Sequence, residues 1–122
     1  MKAEILKSEL CGSIKAPPSK SVAHRLIICA CLCDGVSHIS GLEVLSNDIK
    51  ATISCMRSLG ADISKDGDVL TINGKDTFKN VKENDLFVDE SASTLRFLIP
   101  LCLLCDRQIT LVGSKRLFER PL

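Results

Sequence analysis

Three short clusters in this sequence combine cations and hydroxyls at spacings suited to holding an anion. The first is Pro17-Pro18-Ser19-Lys20-Ser21, followed by His24-Arg25. Read as the opening of a helix, it puts Lys20 and Ser21 where free backbone N–H groups and the positive end of the helix dipole favour negative charge. Arg25 stands four residues past Ser21, one turn along on the same face. An ammonium, a hydroxyl and a guanidinium fork converging there describe a site for a phosphate or carboxylate. A solvated first turn whose basic side chains touch nothing is the alternative, and it stays open at this point. No Gly-x-x-x-x-Gly-Lys pattern occurs, so a Walker-type phosphate loop is excluded.

The second cluster is Asp89-Glu90-Ser91-Ala92-Ser93-Thr94-Leu95-Arg96, where small and hydroxylated residues again open a helix that carries an arginine near its start. Taken by itself, it reads more simply as a cap feeding a core helix. The third, Lys115-Arg116-Leu117-Phe118-Glu119-Arg120-Pro121, reads as a dense cationic loop after a strand, and such a loop is usually a solvated face. Three anion-friendly segments at the same station of successive strand–helix units point to one pocket for a ligand with several negative charges.

The elements that must position these clusters follow from pattern and punctuation. Residues Ala3 to Lys15 alternate weakly, with Leu10, Gly12 and Ile14 leading to the two prolines that end any strand there. Ser19 is a good N-cap for a helix over Val22–Cys33, which is apolar on nearly every face and is therefore expected to be buried all round. Val36–Ser40 reads as a strand. Ser46-Asn47-Asp48 caps a second helix whose stripe is Ile49, Ile53, Met56 and Leu59, with Gly60 as its stop. Ala61–Ser64 and Val69–Asn73 read as strands around the turn Lys65-Asp66-Gly67-Asp68. After a polar loop over Thr77–Asp85, Leu86–Val88 reads as a strand, Ser91–Leu104 as a second buried helix and Gln108–Val112 as a strand closed by Gly113.

That order implies an α/β chain of βαβαββ modules. At an offset of 72 residues Asp34 falls on Asp106, Ile39 on Leu111 and Gly41 on Gly113. One module spans about 12–75, and a second, cut near its middle, about 84–122. The stop at Glu119-Arg120-Pro121-Leu122 falls where a new helix is due, so the chain reads as a truncated or partial product.

Composition narrows the classes of partner. Sixteen basic against fifteen acidic residues leave a net charge of +1, so no polybasic footprint for nucleic acid is present. All four aromatic residues are Phe, too few to build stacking platforms for single strands. The longest apolar runs, Leu26–Cys33 and Phe97–Cys105, fall far short of the roughly 20 residues that span a bilayer, and Met1–Leu10 has no apolar signal-peptide core. Seven cysteines, five of them within apolar runs, read as reduced, mostly buried thiols of a cytoplasmic protein rather than a disulfide framework. Cys102-x-x-Cys105 lacks a second such pair, so no metal site is assigned.

Taken in order, Pro17-Pro18-Ser19-Lys20-Ser21 with Arg25, Ser46-Asn47-Asp48-Ile49 with Leu59-Gly60-Ala61, Glu90-Ser91-Ala92-Ser93-Thr94-Leu95-Arg96-Phe97 and Glu119-Arg120-Pro121 resemble the N-terminal part of the 5-enolpyruvylshikimate-3-phosphate synthase family. The resemblance runs over essentially the whole chain. It implies a two-domain enzyme with three βαβαββ modules per domain and a site in the cleft between them. It further implies transfer of the enolpyruvyl group of phosphoenolpyruvate to the 5-hydroxyl of shikimate 3-phosphate, with release of phosphate. Neither a metal nor an organic cofactor is implied, and the full-length protein would be a monomer. By motif matching, Lys20, Ser21 and Arg25 would bind shikimate 3-phosphate. Lys20, the catalytic lysine, would also reach phosphoenolpyruvate, which the Ala92 backbone and Arg120 would hold. Asp48, Glu90 and Arg96 would support this group.

Two departures from the family pattern stand in the second cluster. Glu90 replaces a common asparagine and sets a carboxylate beside an anion pocket, unless it is protonated or pairs with Lys20. Ala92 replaces a glycine. A rival resemblance is to the UDP-N-acetylglucosamine enolpyruvyl transferases, whose helix usually opens Lys-Asn and whose loop carries a cysteine where this chain has Lys115. A rival of another class is a noncatalytic module that captures phosphometabolites. A chain lacking the rest of the site would hold one wall of it and would not turn over alone.

Overall fold

The chain was analysed as a computed structural model that describes residues 2–9 and 11–121. Leu10 and Leu122, which the readings of the N-terminal alternation and of the chain end include, lie outside the described residues, as does Met1. The elements run α1 (Lys20–Leu32), β1 (Val36–Ile39), α2 (Asn47–Ser58), β2 (Asp62–Asp66), β3 (Val69–Asn73), β4 (Asp85–Asp89), α3 (Ala92–Cys102), β5 (Thr110–Gly113) and α4 (Lys115–Phe118). The α/β class expected from the sequence is the class observed. Strands β1, β3 and β2 form an antiparallel sheet in that order, with Ile63 opposite Ile72 and Ile39 opposite Leu70. Strands β4 and β5 pair in parallel, joined by the α3 crossover.

One core serves both sheets. The α2 stripe Ile49, Ile53, Met56 and Leu59 is fully buried and packs with Ile27 and Cys31 of α1, Leu70 and Ile72 of β3, Leu86 and Val88 of β4, and Leu95 and Leu98 of α3. Each such side chain taken out of water contributes on the order of 1.5–3 kcal/mol, which is why this face of α2 fixes the arrangement. The far end of α2 is tied down by Arg57, whose Nε and Nη2 both donate to the Ile63 carbonyl at 3.0 and 2.6 Å.

Five expectations need correction. The apolar sequence of α1 is buried on one face only: Ala23, His24, Ile27, Ile28, Ala30 and Cys31 are inside, whereas Val22, Leu26, Cys29 and Leu32 meet solvent. Helix α3 likewise buries only Thr94, Leu95 and Leu98 and leaves Ile99 and Leu103 exposed. Apolar character says that a face can be buried, but a covering layer is needed to bury it, and the described residues supply one side. The alternating residues before Pro17 form no strand among the described residues, with Ile5 and Ile14 more than nine-tenths exposed: none of the strands pairs with them, and an extended segment without a partner is not stable in water. The third cluster is not all loop. Ser114 caps a short helix, α4, by accepting from the Leu117 N–H. Finally, only Cys31 and Cys55 are buried outright, whereas Cys11, Cys29 and Cys33 are exposed.

Candidate functional site

Helix starts converge on one region of the molecule, and the sequence explains each start. Ser19, Ser46 and Ser91 accept hydrogen bonds from the N–H groups of Val22, Ile49 and Thr94, which fixes the first turns of α1, α2 and α3. The first turns touch one another. The Lys20 ammonium at the start of α1 pairs with the Asp48 carboxylate in the first turn of α2. The Thr94 hydroxyl in the first turn of α3 lies 3.4 Å from the Asp48 carbonyl. The Ser114 N–H donates to the Asp89 carbonyl at 3.0 Å, which brings the start of α4 beside the turn that opens α3.

That turn is itself unusual. The β4 ladder shifts register between Phe87 and Asp89, and Asp89 adopts φ 53°, a left-handed conformation that Asp tolerates better than most residues. Gly113 sits opposite. A methyl group there would stand 2.9 Å from the Asp89 carbonyl oxygen and 2.9 Å from Leu117, so only glycine lets β5 come close enough to carry α4 past the α3 start.

The residues expected to form the site are placed as follows. Lys20 is about half exposed, paired with Asp48 at the mouth, and Ser21 is exposed beside it. The guanidinium of Arg25 donates to the Ser21 carbonyl at 2.8 Å and lies over the Phe97 ring at 5.4 Å. Ala92 is the first residue of α3 and is half-buried. Arg96, one turn further, donates to the Pro121 carbonyl at 3.2 Å, which draws the segment holding Arg120 toward α3. The Arg120 side chain is exposed, and Glu90 is exposed in the turn before Ser91. The ammonium of Lys20 pairs with Asp48 rather than with Glu90. Lys20, Asp48, Arg25 and the α3 start are thus linked by direct contacts, Arg120 by its neighbour Pro121, and Glu90 only by its place in the chain.

Behind these residues runs a buried polar chain that the sequence reading did not assign. His24 Nδ1 lies 2.8 Å from Thr52 Oγ1, Thr52 Oγ1 lies 2.7 Å from Thr94 Oγ1, and Thr94 Oγ1 donates to Ser91 Oγ at 2.7 Å. All four side chains are buried, and His24 Nε2 has no partner among the described residues. Burial holds the His24 pKa below its usual 6.5, with Lys20 and Arg25 pushing the same way against Asp48. The available signal was a polar residue on a helix face that otherwise faces the core, with Thr52 one turn past Asp48 and beside Ile49 and Ile53. Phe97 was equally legible, one residue beyond Arg96, but its pairing with Arg25 was not.

Among the described residues, no three His, Cys, Asp or Glu side chains gather as a metal site. No helix of the described residues is long and apolar enough to cross a membrane. A cavity of about 230 Å³ lies next to Lys20, lined by Pro17, Pro18, Ala23, Leu42, Val44 and Ile49.

Comparison with known proteins adds an independent finding. The family described as EPSP synthase (3-phosphoshikimate 1-carboxyvinyltransferase) matches residues 6–122. A 3-phosphoshikimate 1-carboxyvinyltransferase of Clostridium perfringens strain 13 is 47% identical over 121 residues, which cover 99% of this chain and 28% of that protein. The one from Clostridium beijerinckii is 45% identical over 125 residues, 98% of this chain and 28% of that protein. The solved structure of EPSP synthase from Acinetobacter baumannii superposes with a TM-score of 0.69 at 26% identity, over 90% of this chain and 25% of that one. The chain therefore spans little more than a quarter of the length of these relatives.

Proposed function

Because the chain belongs to the EPSP synthase family, we propose that it supplies one wall of an enolpyruvyl transferase site, acting on phosphoenolpyruvate and shikimate 3-phosphate. The supporting observation is the contact between the starts of α1, α2 and α3, with Lys20 at the mouth and Arg25 held by Phe97. In the reaction the 5-hydroxyl of shikimate 3-phosphate adds to C2 of phosphoenolpyruvate while a proton is added at C3. The tetrahedral intermediate then expels phosphate as a proton leaves C3. Negative charge is concentrated on phosphate and carboxylate throughout, so fixed cations stabilise the intermediate without reorganising.

In this reading Lys20 contacts both substrates, and Ser21 and Arg25 hold shikimate 3-phosphate. The Ala92 N–H and Arg120 hold phosphoenolpyruvate. Asp48 steers the Lys20 ammonium, Arg96 draws in the Arg120 segment through Pro121, and Glu90 supports the turn before α3. The segments 12–75 and 84–122 are two modules of the repeat. The remaining acid–base groups come from the rest of the longer protein, so this chain alone does not turn over. The test is a chimera in which this chain replaces the matching 28% of the C. perfringens relative. Shikimate-3-phosphate-dependent release of phosphate from phosphoenolpyruvate, strongly reduced in Lys20→Ala, is the expected result. A folded chimera that binds both substrates but releases no phosphate would overturn the reading.

A further inference from the structure

The buried chain behind Lys20 has a direction that can be derived by counting hydrogens. Its three links join four atoms: His24 Nδ1, Thr52 Oγ1, Thr94 Oγ1 and Ser91 Oγ. Each link needs one hydrogen, and the two threonine hydroxyls supply two when each is given to its 2.7 Å hydroxyl contact rather than to the more distant Asp48 carbonyl, 3.2 Å from Thr52 and 3.4 Å from Thr94. The third comes either from the His24 ring or from the Ser91 hydroxyl. Were it Ser91, Nδ1 would be an acceptor and the ring hydrogen would sit on Nε2, buried with no partner among the described residues. A buried N–H without an acceptor is rarer than a buried lone pair without a donor. So the chain runs from His24 Nδ1–H to Thr52, to Thr94, to Ser91, and it leaves the Ser91 hydroxyl hydrogen outside the chain at the start of α3.

We propose that His24, Thr52 and Thr94 are positioning residues, a one-way hydrogen-bond chain that holds the first turns of α1, α2 and α3 in register so that Lys20 and the Ser91–Ala92 turn face the same anion. The proposal rests on the enolpyruvyl transferase reading. Its physical basis is that the three helices meet near their starts through these side chains, and Thr52 Oγ1 also lies 3.2 Å from the carbonyl of Asp48, the residue that steers Lys20. Apolar packing fixes which faces meet, and a satisfied buried hydrogen-bond chain adds a directional constraint between the three helices. The charged groups facing the ring are Asp48 from α2 and Lys20 and Arg25 from α1, and the neutral ring avoids adding a third cation beside the last two.

The test uses the chimera described above, with two readouts: the ¹⁵N shifts of the His24 ring and the dissociation constant of phosphoenolpyruvate in the presence of shikimate 3-phosphate. The parent should carry its ring hydrogen on Nδ1. Thr94→Val should move the Nδ1 resonance although Thr94 is two links away. Thr52→Val should shift the hydrogen toward Nε2 and weaken phosphoenolpyruvate roughly fivefold to tenfold, and Thr52→Ser should restore both. A purely structural threonine would change stability without redirecting the ring hydrogen. A parent ring protonated on Nε2, or a folded Thr52→Val chimera with unchanged phosphoenolpyruvate binding, overturns the proposal. A folded parent that binds no phosphoenolpyruvate refutes the functional reading instead. The ring nitrogens of the parent and of Thr94→Val then decide for or against the chain.

Discussion

Lys20 and Asp48 form an ion pair at the mouth of the site, so the two residues should be coupled in a way that can be calculated. In the proposed reading Lys20→Ala removes a charge-assisted hydrogen bond to the ligand, worth about 1.5–3 kcal/mol. It also leaves the Asp48 carboxylate without its cation. Two anions that shared one ammonium stand roughly 5 Å apart, and their repulsion is about 1 kcal/mol at a dielectric close to that of bulk water. Together these give about 2.5–4 kcal/mol, a loss in kcat/KM of roughly 70-fold to 1,000-fold. Asp48→Asn in the Lys20→Ala background removes the repulsion and should recover about fivefold. The assay is steady-state phosphate release by the chimera over a range of ionic strength, since salt weakens the repulsive part first. An unchanged kcat/KM in Lys20→Ala refutes a contact with substrate. A double variant no better than Lys20→Ala refutes the steering role of Asp48.

Other consequences are as concrete. The folded-state pKa of His24 lies below its unfolded value of about 6.5, so below that pH the unfolded chain takes up a proton that the folded one refuses, and stability should fall on acidification. His24→Gln should flatten that limb in denaturant titrations of the chimera at successive pH values. Burial pushes the thiols of Cys31 and Cys55 up to about 12, so at pH 8 a thiol reagent should label Cys11, Cys29 and Cys33 first, as read by mass spectrometry. A methyl group on Gly74 would stand 2.5 Å from the carbonyl oxygens of Cys31 and Cys33, so Gly74→Ala should lower stability by about 3 kcal/mol or more, and an unchanged melting temperature would contradict the packing.

What could be read in the sequence is mostly what local chemistry fixes. Ser19, Ser46 and Ser91 act as caps because a hydroxyl at that position satisfies orphan N–H groups whatever lies elsewhere, and the α2 stripe faces the core because its spacing matches the helix. A turn between β2 and β3 was legible for the same reason, but it is tighter than expected: Lys65 and Asp66 belong to β2, paired with Leu70 and Val69, and only Gly67-Asp68 make the turn. Contacts between distant segments were not. Nothing in the spacing of His24, Thr52 and Thr94 reveals that they meet, because tertiary packing alone brings residues 28 and 42 positions apart within hydrogen-bond range. Burial of whole helices failed in a complementary way. Val22, Leu26, Ile99 and Leu103 are apolar, but the pattern could not say that the described residues leave them uncovered. Pro17-Pro18 and the alternation before it were likewise read without knowledge of a partner strand.

The central claim is that Lys20, Ser21, Arg25, the Ala92 N–H and Arg120 face one pair of anionic substrates. The most direct measurement is a crystal structure of the chimera with shikimate 3-phosphate and an unreactive phosphoenolpyruvate analogue. The account predicts the Lys20 ammonium within hydrogen-bond distance of both ligands while still paired with Asp48. It also predicts Arg25 on the shikimate 3-phosphate side, and Ala92 N–H and Arg120 on the phosphoenolpyruvate side. Ligands bound well away from the starts of α1 and α3, with Lys20 touching neither, would contradict it.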